Sequence, residues 1–140
     1  MLILAPWSPN GVQDDDVAFP SHSFRSSVLD EFLVVLDDEL DDPSRILEQL
    51  EHYARTRPEV LERRPFWNAI IARRWSPLVE AAMTVWWEHV LWYSRRYQLS
   101  LIHVLDSVGL VPHRVEIDNF GLFGFQCGVA ARSAQLGLPA

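Results

Sequence analysis

The sequence predicts an all-α domain, a compact bundle of five or six helices around one long central apolar helix, with an irregular N-terminal arm. Three observations predict it. Apolar residues recur at three- and four-residue spacing over much of the chain. Asp42-Pro43 and Ser76-Pro77 are helix starts: a capping side chain, then a proline whose missing N–H costs nothing in the first turn. Gly109, with Pro112 beyond it, is a helix stop. At 140 residues the length fits one domain with a substantial core, divided into an arm over 1–22 and a single helical domain over 23–140.

The arm carries Pro6, Pro9, Gly11, three aspartates at 14–16 and Pro20, a run that breaks regular structure. A first helix is expected within 24–40, with Val28, Phe32, Val35 and Leu36 on one face. The next runs from Pro43 to Thr56, with Ile46, Leu47, Leu50, Tyr53 and Ala54 as its stripe. Between Pro58 and Trp75, Pro65 divides the pattern into two short helices.

The central helix is expected over about 77–107. Val79, Met83, Trp86, Val90, Tyr93, Tyr97, Leu101 and Val104 form one line, and a second runs from Leu78 through His89 and Trp92 to His103. A helix apolar around most of its circumference is one that others pack around. His113–Ile117 alternates as a short strand does, and its available partner is Leu2–Ala5. A closing helix after Asn119 places Gly121, Gly124 and Gly128 on one ridge. Each glycine costs about 1 kcal/mol relative to alanine, so the ridge implies close packing, within the chain or across a homodimer axis.

Composition narrows the function. Hydrophobic residues at 49% and charged residues at 22% fit a soluble globular protein. A net charge of −7 argues against general binding of nucleic acid or anionic membrane. All twelve basic residues are arginine. A GC-rich genome accounts for that, as does selection against ubiquitin acceptors in a host cell. Either way, lysine Schiff-base chemistry and a Walker lysine are excluded. Cys127, the lone cysteine, rules out an internal disulfide and sits in an apolar setting as a small core residue. The short apolar start has no basic leader, and no run is long enough to span a bilayer. The expected location is cytoplasmic, or host-cytosolic for a viral or secreted effector.

Candidate chemistry is sparse. There is no phosphate-binding glycine loop and no nucleophile elbow. In a continuous helix His89, Trp92, Arg96 and His103 share one face, the basis of an alternative reading as a small helical enzyme or ligand-binding bundle. The two histidines would lie about 21 Å apart along it, too far to share a metal; no metal site and no cofactor are expected. Arginine pairs at 63–64, 73–74 and 95–96 stand beside aromatic residues. Arginine and tryptophan dominate interface hot spots. The leading expectation is a non-enzymatic protein–protein interaction module, an adaptor, inhibitor or host-factor-binding protein. Its partner-binding residues would be Trp67, Arg73, Arg74, Trp75 and Arg95, with the acidic run 36–42 steering a basic partner.

Two short stretches resemble known motifs. Ser100–Pro112, "SLIHVLDSVGLVP", resembles the elongin C-binding box of ubiquitin-ligase adaptors, with Leu105 where a small residue is usual. The resemblance implies a ubiquitin-ligase adaptor-like viral or effector protein. "DNFGLFGF" at 118–125 resembles the Asn-aromatic-Gly signature of Bcl-2-like bundles, although the chain ends before their remaining helices. Each covers no more than about a tenth of the chain.

Overall fold

In the computed structural model, which describes residues 16–119, a three-stranded mixed sheet is set among five helices. The all-α expectation is therefore corrected. The described elements are β1 (Val17–Pro20), α1 (Val28–Asp37), α2 (Pro43–Thr56), α3 (Pro58–Leu61), β2 (Ala72–Arg73), α4 (Pro77–Trp92), α5 (Leu101–Val108) and β3 (His113–Val115).

The sheet order is β2-β1-β3. The centre strand comes from residues assigned to the irregular arm. Val17, Ala18 and Phe19 are buried, and that burial requires every backbone polar group there to find a partner. β2 supplies them on one side, antiparallel, with Val17 opposite Arg73. β3 supplies them on the other, parallel, with Phe19 opposite Arg114. The strand expected near His113 thus forms, but it pairs with Val17–Pro20; the partner proposed for it, Leu2–Ala5, lies outside the described residues, as does the closing helix with Gly121, Gly124 and Gly128. Residues 65–67 extend the same edge, the Trp67 amide donating to Pro20 O at 2.8 Å. Where a second short helix was expected after Pro65, the chain instead runs alongside β1.

Local signals place the other helices. Ser27 caps α1 by accepting from the Asp30 amide, and Asp42 caps α2 by accepting from Ser44, with Pro43 in the first turn as its sequence requires. Ser76 caps α4 through the Val79 amide. Phe32, Val35, Ile46 and Tyr53 from α1 and α2 meet Val79 and Ala82 of α4 and Leu101, Ile102 and Leu105 of α5 in one core, with Phe19 against Phe66 and Trp86.

The second correction concerns the long central helix. It ends at Trp92, and the chain turns through residues 93–100 before α5 packs back on α4. No glycine or proline lies in that turn. Tertiary hydrogen bonds hold it: Asp41 Oδ2 accepts from Ser94 Oγ and from the Arg95 amide, and Trp86 Nε1 donates to Tyr97 O and to Ser100 Oγ. No described helix is long and apolar enough to cross a membrane.

Candidate functional site

Breaking the central helix has two consequences for the side chains it carries. α4 keeps one buried face, Val79 and Ala82 flanked by Met83 and Trp86, and turns the opposite arc to solvent. That arc ends in Trp87, Glu88, Leu91 and Trp92, two i, i+4 pairs side by side. Trp87 is 63% exposed, Leu91 53% and Trp92 73%. Trp75, at 67%, and Leu78 are exposed at the other end of the helix. Single exposed apolar residues are ordinary, but tryptophans gathered on one helix call for an account.

An acidic corner adjoins the Trp92 end. Asp37, Asp38, Glu39 and Asp42 are exposed around Asp41, whose side chain is 3% exposed. Burial by itself raises the Asp41 carboxyl. Hydrogen bonds from the Asp42 amide, the Ser94 hydroxyl, and the Arg95 amide and side chain outweigh it and hold the group down at about 2. Asp41 therefore ties the acidic corner to Ser94 and Arg95, two and three residues beyond the end of α4.

The second consequence lies on the inner side. α5 folds back so that the His103 ring stands 5.1 Å from that of His89. α2 adds His52, 5.7 Å from His103 and 6.4 Å from His89, and Tyr53, stacked on His103 at 4.0 Å and 8°. Gln49 Nε2 donates to Tyr53 Oη at 2.9 Å, and Tyr53 Oη is hydrogen-bonded to His89 Nδ1 at 2.9 Å, the phenol donating when His89 carries its proton on Nε2. Burial pushes the Tyr53 phenol up, so it stays protonated. His103, 6% exposed, has a buried Nδ1 with no hydrogen-bond partner among the described residues. Burial first, then the neighbouring His89, His52 and Arg57, lowers His103 to about 4 against the opposing pull of Asp106. Burial and His52 likewise lower His89, opposed by Glu88. Among the described residues no three His, Cys, Asp or Glu side chains are arranged to hold a metal ion. What the rings form is a packed cluster in which burial disfavours the charged forms of His89 and His103.

Of the four residues expected to line a pocket, His89 and His103 come together, whereas Trp92 and Arg96 remain at the surface. Of the five expected to bind a partner, Arg73 and Trp75 are exposed beside α4. Arg74 is also exposed, its amide donating to Asp16 O at 2.7 Å and its guanidinium facing the Asp16 carboxylate. Arg95 is engaged with Asp41 at 3.2 Å, and Trp67 is half-buried against β1. Sequence reasoning missed Trp87, which a continuous helix hid within an all-round apolar pattern. His52 is not among the expected pocket residues, because its approach to His89 and His103 depends on a turn carrying no local signal. In the stretch resembling an elongin C box, Leu101, Ile102, Val104 and Leu105 are buried in the core.

No family model, curated protein or solved structure matches this chain.

Proposed function

We propose that this protein is a protein-interaction module that docks a cationic amphipathic segment on the outer face of α4. Trp87, Leu91 and Trp92 act as apolar anchors, and Glu88 with the Asp37–Asp42 corner supplies the complementary charge. The observation that supports the reading is that Asp41 pins the acidic corner to Ser94 and Arg95, two and three residues beyond Trp92. Aromatic anchors desolvate on contact and dominate binding energy, while surrounding charge sets on-rate and partner choice. Trp75, preceded by Arg73 and Arg74, offers a further contact at the opposite end of the helix. Arg95 and Trp67 play a smaller part because the fold already employs them.

The test uses the full chain and defined helical peptides of equal length, one Leu/Lys-patterned, one Leu/Glu-patterned and one with the Leu/Lys order scrambled. Titration calorimetry and tryptophan emission report binding. The Leu/Lys peptide is expected to bind with a blue shift, weakening as salt rises, and Trp87→Ser with Trp92→Ser is expected to abolish binding at an unchanged Tm. Equal binding of the three peptides, or undiminished binding by the double variant, removes the proposal.

A further inference from the structure

The inner ring cluster lies where α2 meets the α4–α5 pair. His52 and Tyr53 belong to α2, His89 to α4 and His103 to α5. The remaining links between α2 and the α4–α5 pair include Gln49 Oε1 accepting from the Ser94 amide at 3.4 Å and Arg45 Nη1 donating to Tyr93 O at 3.2 Å. Three imidazoles within 5.1–6.4 Å of one another can pack only while they share little positive charge.

We propose that the His52–His89–His103 cluster is a proton-operated latch between α2 and the α4–α5 pair, closed when the rings are neutral and opened by acid. Two bonding arrangements make the closed state intolerant of protons. A proton at His89 Nδ1 makes the phenol oxygen accept from both His89 and Gln49, which takes from the Tyr53 O–H the acceptor that a bare His89 Nδ1 offers it. A proton added to His103 places charge on a ring sealed against Tyr53, with its Nδ1 unpartnered. Neighbouring charges do not relieve this. Glu88 favours the charged form of His89, and Asp106 that of His103. Asp106, however, is already shared by Arg57 and Arg63, and Arg57 itself opposes a proton on His103. Around Tyr93, which stacks on His52 at 5.7 Å, the facing charge is Glu48. Opening the latch separates the rings and loosens α2, whose N-terminal end adjoins the acidic corner.

The experiment is hydrogen exchange of the full chain at pH 7.5 and pH 5, corrected for intrinsic rate, together with imidazole titration by NMR. A ring that titrates at about 4 when closed and 6.5 when open makes opening roughly thirtyfold more frequent at pH 5. Exchange over 43–56 and 101–108 is expected to rise by about that factor, and by more than over 28–37. His89 and His103 are expected to titrate below the ordinary histidine range. His103→Phe keeps the stacked ring but takes no proton, so it is expected to show a smaller rise in α2 exchange at pH 5 than the native chain, the remainder coming from His89. Unchanged α2 protection in the native chain, ordinary titration of both rings, or equal acid sensitivity in the variant overturns the latch. Should the variant fail to fold, the native chain's exchange and titration decide the matter.

Discussion

Asp41 receives the Ser94 hydroxyl at 2.9 Å across 53 positions of chain. That one carboxylate also accepts from the Arg95 amide at 2.7 Å and the Arg95 guanidinium at 3.2 Å. It fixes a turn that holds no glycine or proline by accepting the Ser94 hydroxyl and the Arg95 amide, donors that no helix satisfies there.

Asp41→Ala should therefore weaken the fold by about 2–3 kcal/mol, the scale of hydrogen bonds to a buried charge. The native carboxyl sits near 2, below its ordinary value of 3.8, so its contribution is full above the ordinary value and fades as pH falls toward 2. Urea unfolding at pH 7 measures the loss. A midpoint equal to that of the native chain would show that the turn holds without Asp41.

His22 predicts acid sensitivity separate from the ring cluster. It is buried beneath Phe24, ring centroids 4.4 Å apart, with its Nδ1 unpartnered among the described residues. Burial first, then Arg25 and Arg64, lowers it to about 4 against Asp30. A lowered folded pKa means the unfolded chain binds more protons as pH falls through 6.5. Stability is thus complete above that value, declines between 6.5 and about 4, and levels off below. The slope is at most about 1.4 kcal/mol per pH unit for each such histidine. His22→Asn should flatten the pH dependence of the urea midpoint between pH 7 and 5 without moving the exchange of α2 relative to α1. A slope the same as that of the native chain would remove His22 from the account.

Gly109 ends α5 with φ +72°, its amide donating back to Asp106 O. A methyl group there meets no atom within 4 Å. The cost of Gly109→Ala is consequently backbone strain alone, about 1 kcal/mol. Thermal unfolding checks this; a loss of several kcal/mol would mean that packing, not the left-handed backbone, requires the glycine.

Much of the helical frame is legible in the sequence because its signals are local. Asp42-Pro43 and Ser76-Pro77 start helices, Gly109 stops one, and the stripe through Ile46 and Tyr53 faces the core, each read within one or two turns of chain. The absence of lysine and the acidic balance likewise need no coordinates. Two features depend on partners far away in sequence. Val17–Phe19 becomes a central strand only because Ala72–Arg73 and His113–Val115 reach its two edges. The apolar run from 77 to 107 breaks at Trp92 only because Asp41, Gln49 and Trp86 satisfy the backbone and side chains of the turn. From that break follow the exposed arc of Trp87, Leu91 and Trp92 and the approach of His103 to His89. Helical periodicity records which faces are apolar; the hydrogen bonds that interrupt a helix decide which of those faces meet a neighbour and which meet water.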